Sequence, residues 1–373
     1  MKALVFAFSL LLLVSACESS ERDSILPGLS SLSIIDSLQV NENGFFLNGQ
    51  GQVKIIGDSL IAVSSVRKPA IGLIDLKSGN QIAQITASDF PEAPFFPSSF
   101  DVSEFPILYI ADRYTNSIFE FDALEGKFLK KTKLQIPEEK VVKAALGEFH
   151  KTSNGFLVEL TTSQTDIFHP DYFRKSGNLI YLFDEKGDSI ASFLKFPEIL
   201  QTQERTINLE APMESTFSNN SFIYSFPQEK KVKITKSEGS FDVISEIELP
   251  NSRYFDYGVK GFDKIISFDD LQNMNSTNFS NTHYFMSMRD TRSHIYIQTW
   301  LIGDESAGLN RTSHLLIWDK STKKWSETNN PRNILDIGML AGVVNDTIYF
   351  YEGSLMKHDE KYIKRAVLRP VAD

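Results

Sequence analysis

His169 and Asp171 stand two residues apart, an imidazole beside a carboxylate, which are the side chains that general acid–base chemistry uses. An isolated pair in a loop is a weak catalytic signature, because nothing in the sequence orients the imidazole. Recognition is the other chemistry on offer. Arg113, Tyr114, His169, Asp171, Tyr172, Arg174, Arg253, Tyr254, Tyr257, Arg289, Arg292, Trp300 and Arg311 fall in or beside loop segments. Arginine and aromatic side chains are the types enriched at binding hot spots. The net charge is −10, so six arginines at one mouth would draw in an anionic ligand such as an acidic glycan or peptide. The alternative is that they pair locally with Asp171, Asp256, Asp290 and Asp304.

Other chemical signatures are missing. The sequence contains no HExxH, GxSxG, CxxC, P-loop or GxGxxG pattern. Its six histidines (150, 169, 283, 294, 314 and 358) are scattered without a paired-ligand spacing. The stretch "DDLQNMNSTNFSN" (269–281) offers oxygen ligands out of EF-hand order and reads as a polar loop. We therefore expect no catalytic residue, no metal and no cofactor, and favour a binding module over an enzyme. The acidic balance argues against nucleic acid as a partner. A monomer holding a glycan, peptide or protein ligand is the expectation.

The positioning elements begin with an address. "MKALVFAFSLLLLVSAC" places Lys2 before an apolar core, Ala3 to Val14, and small residues before Cys17. That core has 12 residues, whereas a membrane-spanning helix needs about 20. Val14-Ser15-Ala16-Cys17 resembles the bacterial lipobox, which implies cleavage before Cys17 and lipidation of its sulfur and amine, with palmitate among the acyl chains. Cys17 is the lone cysteine of the chain. The expected order is a signal peptide over 1–16, a tether over 17–30 and a folded domain over 31–373. Glu18, Glu21 and Asp23 in the tether resemble the surface-export signal of Bacteroidota lipoproteins, placing the protein at the outer membrane, periplasmic or surface-exposed.

The domain repeats itself. "LYIADRYTNSIFEFDALEGKFL" (108–129) writes strand, polar turn, strand ending in Asp122, turn at Gly126, and strand. Units of this kind start at 59, 107, 155, 221, 294 and 347. Small antiparallel units at this period predict an all-β fold, a six-bladed β-propeller of four-stranded blades. A seventh blade stays open if an interval of 66 or 73 residues hides a degenerate one. The 108–129 stretch resembles an NHL repeat. With its lipobox, the whole chain resembles the TolB-like propeller lipoproteins of Bacteroidota, most of which have no assigned activity. The match is good over 59–196 and poor over 201–293, where the fourth unit is loose.

Two expectations follow from strand alternation. Loops between second and third strands, and links between units, share one end of the disc; the insertions at 161–178, 196–220, 250–293 and 300–313 would elaborate that end. The segment 31–40, upstream of the first unit, is free to pair with the last blade. The runner-up function is a lyase or lactonase with a metal in the central channel, but the recognisable strands carry few of the carboxylates it would need.

Overall fold

The computed structural model describes residues 26–42, 51–65, 69–90, 95–143, 147–204, 207, 212–236, 241–261, 282–303, 311–352 and 361–371. Cys17, its flanking signal and tether residues to 25, the 269–281 stretch and Asp304 lie outside them.

Antiparallel meanders repeat along the chain. After β1 (Gly28–Gln39), the first is β2 (Val53–Ile56), β3 (Leu60–Ser65), β4 (Ala70–Asp75) and β5 (Gln81–Thr86). The second is β6 (Pro97–Asp101), β7 (Ile107–Asp112), β8 (Ser117–Asp122) and β9 (Lys127–Lys133). In the third, β10 (Lys140–Val142) and β11 (Phe149–Thr152) both flank β12 (Gly155–Thr162), followed by β13 (Ile180–Phe183) and β14 (Ser189–Phe193). The fourth is β15 (Glu214–Ser218), β16 (Ser221–Phe226), β17 (Lys231–Lys236) and β18 (Val243–Glu248).

The remaining strands form one ten-stranded sheet containing two more meanders. One is β19 (Tyr284–Asp290) and β20 (His294–Ile302), then, after a short β21 (Arg311–Ser313), β22 (Leu315–Asp319) and β23 (Lys324–Thr328). The other follows β24 (Arg332–Asn333) and consists of β25 (Met339–Val344), β26 (Thr347–Tyr351), β27 (Tyr362–Pro370) and, as its outermost strand, β1. β1 runs antiparallel to β27 from Ser30↔Pro370 to Gln39↔Tyr362. Its start, Gly28–Ser30, also pairs in parallel with Ser326–Thr328 of β23, which joins the two meanders. Among the described residues, strand structure begins at Gly28.

Burial explains the sequence pattern. The second strands are covered on both faces, β3 along its whole length, so they read as continuous apolar runs rather than alternating ones. Outer strands such as β14 and β18 are largely exposed. Each hydrophobic cluster lies between neighbouring meanders: Phe100, Phe119 and Phe121 of the second meet Ile71, Leu73 and Ile85 of the first. Each large apolar side chain so buried stabilises by about 1.5–3 kcal/mol. The innermost strands pack in a ring, β6 against β11, β15 against β19, β19 against β25, and β25 against β2. The result is a propeller-like arrangement of four-stranded antiparallel blades.

The recurring aspartates shape the turns. Asp75, Asp122, Asp184 and Asp319, each at or just after the end of a third strand, accept backbone N–H bonds from two or three residues on. Asp112 does the same at the other end, accepting from Thr115 N–H (2.7 Å) and Oγ1–H (2.8 Å). Gly187 closes one such turn at φ +89°, and a Cβ there would sit 2.1 Å from the Lys133 carbonyl oxygen.

The long insertions occupy the expected connections and brace each other. Helix α1 (Tyr172–Lys175) lies between β12 and β13, and α2 (Glu198–Gln201) lies in the link after β14. Phe173 meets Phe196 edge-on at 4.9 Å between them. β21 pairs with β24, ahead of a short α3 (Ile334–Ile337). Among the described residues, no helix is long and apolar enough to cross a membrane.

Candidate functional site

The innermost strands enclose a cavity of about 350 Å³, within the range of small-ligand sites. Its wall takes residues from β2, β6, β11, β15, β19 and β25 or their immediate flanks. It extends to the turns that follow these strands, at Gly57, Ser103 and Thr291. Helices α1 and α2 contribute nothing to it, whereas 196–220 and 250–293, expected as links, supply it through β15 and β19.

Polar side chains staple this ring across its blades. Lys54 Nζ donates to the Phe100 carbonyl (2.6 Å), and Gln52 Nε2 to the Gly147 carbonyl (2.8 Å). Ser218 Oγ donates to Asp290 Oδ2 (2.6 Å), and Ser287 Oγ to the Leu340 carbonyl (3.1 Å). Arg289 spans three blades: Nε donates to Ala341 (2.9 Å), Nη1 to Met288 (2.8 Å), and Nη2 to Val53 (2.7 Å) and Leu340 (3.1 Å), all carbonyls. Burial lowers the pKa of both Lys54 and Arg289. Arg289 remains a cation, since guanidinium does not lose its proton in proteins.

Between the third and fourth blades sits a set of buried carboxyl groups. Glu148 accepts Ser215 N–H at Oε1 (2.9 Å) and Ser215 Oγ–H at Oε2 (2.6 Å). His150 Nε2 lies 2.9 Å from Ser215 Oγ and 3.5 Å from Glu148 Oε2. One imidazole nitrogen thus faces both hydroxyl and carboxylate. A nucleophilic triad would need the carboxylate on the other nitrogen, so this is a staple and not a relay. Burial pushes the Glu148 carboxyl up, but hydrogen bonds from His150 and Ser215 outweigh it and hold the pKa below its ordinary value. Glu159 pairs with Lys143 at 2.9 and 3.1 Å.

Glu214 is different. It opens β15, is 8% exposed, and lines the cavity. Its carboxyl makes no hydrogen bond or ion pair among the described residues. Burial, first, and the charge of Glu148 push its pKa well above the carboxylate range, with Arg289 opposing. Two neighbouring carboxyl groups of the inner ring are therefore shifted in opposite directions.

The residues singled out from sequence are mostly dispersed. Arg113 Nη1 donates to the Val142 carbonyl (3.0 Å), and Tyr114, 60% exposed, stands edge-on to Phe96. His169 Nδ1 accepts the Asp171 backbone N–H (3.0 Å), while the Asp171 carboxylate pairs with Arg174 (2.5 Å) and Lys175 (3.1 Å). The two side chains do not pair with each other: the imidazole meets the backbone and the carboxylate meets the basic side chains of α1. Tyr172 hydroxyl meets Thr161 Oγ1 at 2.6 Å. Arg253 pairs with the buried Glu327 (2.7 Å), Tyr254 packs on the His314 ring, and Tyr257 donates to the Pro250 carbonyl (2.9 Å). Trp300 is buried against Tyr284. Arg292 is exposed in the turn between β19 and β20, at the end opposite the long loops. Arg311 contributes backbone to β21; its side chain lies outside the described set. Arg174 and Arg253 are paired with carboxylates, Arg113 and Arg289 donate to backbone carbonyls, and Arg292 lies at the opposite end. Of the singled-out residues with described side chains, Arg289 alone lines the cavity.

Sequence reasoning missed Lys54, Asp101, Glu148, His150 and Glu214. The strands it recognised are the second and third of each blade, whose apolar runs stand out. The channel-lining strand precedes each of them and is short and mixed. Its signal was the position alone: polar residues a few places upstream of every recognised unit. Among the described residues, no group of three or more His, Cys, Asp or Glu side chains is placed to hold a metal ion.

No family model matches the chain, and no curated protein matches it. Solved structures do. A Bacteroides fragilis protein thought to be exported superposes on 91% of this chain and 95% of its own, at TM-score 0.52 and 13% identity. A Bacteroides caccae protein of unknown function covers 84% of this chain and 98% of its own, at TM-score 0.44 and 15% identity. Streptogramin B lyase covers 90% and 98%, at TM-score 0.44 and 10% identity. Identities this low speak to fold alone. The fold is a β-propeller.

Proposed function

We propose that this chain is a secreted, lipid-anchored, six-bladed β-propeller that binds a small polar ligand in its central channel. The cavity carries this reading: about 350 Å³, walled by both polar and apolar side chains of the inner strands. Six repeat units in the sequence and six innermost strands around the cavity support the blade count. The lipobox-like Val14-Ser15-Ala16-Cys17 supports a signal over 1–16 and an anchor at Cys17, with a tether reaching to β1. The NHL-like and TolB-like resemblance, and the likeness to a Bacteroides protein thought to be exported, favour an envelope location in Bacteroidota.

A thermal-shift screen of neutral, anionic and cationic small polar molecules against the mature chain tests the binding reading. Hits should be lost in Thr216→Trp, which fills the cavity from β15. Hits that all survive in that variant would place binding elsewhere. Metabolic labelling with a fatty acid tests the anchor: Cys17→Ala should remain an unprocessed, unlabelled precursor.

Acid–base catalysis is a second reading, favoured by one observation, the oppositely tuned Glu148 and Glu214 carboxyls. Chemical change of a bound hit, followed by NMR and abolished by Glu148→Gln, would support it. An unchanged hit would leave binding as the function.

A further inference from the structure

We propose that the channel takes a small polyhydroxylated amine, of the amino-sugar class, with its ammonium group set against the Glu214 carboxylate. This rests on the reading of the channel as the binding site and names its ligand chemistry.

Much of the wall's donor capacity is spent within the protein, while its acceptors remain. Arg289 spends its guanidinium on four carbonyl contacts, and Lys54 donates to Phe100. The hydroxyl hydrogens of Ser103, Ser287 and Thr291 go to Asp101, Leu340 and His294 acceptors within the protein. Their oxygen lone pairs remain. Four carboxyl groups line the cavity, Asp101, Glu148, Glu214 and Asp290, against two cations, Lys54 and Arg289. A ligand complementary to such a wall carries positive charge and many hydrogen-bond donors.

Glu214 locates the charge. Every other cavity carboxyl has a protein partner: Ser103 for Asp101, Ser215 for Glu148, and Lys320 and Ser218 for Asp290. The charged groups acting on Glu214 are Glu148, Glu159, Lys143 and Arg289. Lys143 is committed to Glu159, and Arg289 to backbone carbonyls. Neither donates a hydrogen bond to Glu214, although the charge of Arg289 reaches it, and the carboxyl is more than nine-tenths buried. A buried carboxyl without a partner is costly unless it stays neutral or something arrives to pair with it. A ligand ammonium supplies that partner, and the carboxyl gives up its proton to solvent as the pair forms.

Isothermal titration calorimetry on the mature chain tests this, with glucosamine and galactosamine as probes against glucose and galactose. Measurements near neutral pH in buffers of different ionisation enthalpy report proton release on the unmodified protein. The amine should bind at least roughly tenfold more tightly than its neutral counterpart, with a proton released. Glu214→Gln should lose that preference and the proton release together, and Thr216→Trp should lose binding. If no amine is preferred over its hydroxyl counterpart, or Glu214→Gln keeps the preference, the proposal is overturned. Neutral sugars that bind and are lost in Thr216→Trp would overturn the amine but keep the channel. Amine binding that survives Thr216→Trp would overturn both.

Discussion

Arg289 and Val53 are 236 residues apart, yet Nη2 of the first donates to the carbonyl of the second at 2.7 Å. The contact ties β19 to β2 across β25. The same guanidinium also bonds Leu340 and Ala341 of that strand, so one side chain locks three blades near the channel. Loss of the cation would leave carbonyls unsatisfied in a buried position, at about 3–5 kcal/mol by analogy with broken buried charge networks. Arg289→Met should lower Tm by roughly 5–10 °C. Arg289→Lys should rescue little, because an ammonium cannot match a planar fork reaching several carbonyls. An unchanged melting curve for Arg289→Met would dismiss this role.

Ring closure makes a second expectation. β1 supplies the outermost strand of the last blade, with Leu32 buried and Ile34 and Leu38 packed on the same cluster. Deleting residues 28–39 would expose β27 as an unpaired edge and strip the apolar cover from its blade. Thermal unfolding should then shift for the whole domain in one transition, by roughly 10 °C or more. A synthetic peptide of residues 28–39 added in trans should restore part of the loss. Melting that stays at the full-length midpoint would mean that closure does not depend on β1.

What could be read in advance follows from burial. Second and third strands lie between blades, so β7 and β8 show as "ILYIAD" and "SIFEFD", apolar with an aspartate at each end that caps a turn. The N-terminal closing strand was legible because Leu32, Ile34 and Leu38 alternate upstream of any complete unit. The site was not legible. Its residues lie on short strands that line the cavity, so they follow no hydrophobic period. Glu148 and Glu214 are 66 positions apart and share a cavity only because two inner strands are adjacent. Arg289 was noticed as a loop cation and turned out to be a strut.

Glu327 gives an acid-side prediction. Its side chain is fully buried and accepts from Ser252 Oγ (2.6 Å) and Arg253 Nη1 (2.7 Å), with His314 Nε2 at 3.6 Å. Burial alone would raise its pKa, but those hydrogen bonds outweigh burial and hold it at about 2 from an ordinary 4.5. A depressed folded pKa means the unfolded chain binds the proton more tightly. The stabilisation is therefore present above pH 4.5 and is lost as pH falls towards 2, amounting to about 3 kcal/mol across that window. Glu327→Gln should flatten the acid limb of the stability curve while lowering stability at neutral pH. Equal acid sensitivity in the variant would show that the limb arises elsewhere.

Glu214 predicts the opposite slope on the other side. Its folded pKa is raised well above the ordinary 4.5, because it is buried, lies near Glu148 and has no bonded partner. The folded state then holds a proton that the unfolded state has already released. Stability falls as pH rises from 4.5 through the folded value, by up to about 1.4 kcal/mol per pH unit. Glu214→Gln keeps the shape of the side chain and removes the titration. The variant should match the wild type near pH 4.5 and exceed it increasingly towards alkaline pH, in denaturant titrations taken at several pH values. A bound amine should produce the same alkaline stabilisation in the wild type and none in the variant. If the wild type and Glu214→Gln keep a constant difference across pH, the carboxyl is not held protonated in the fold, and the charge it offers a ligand is present from the start.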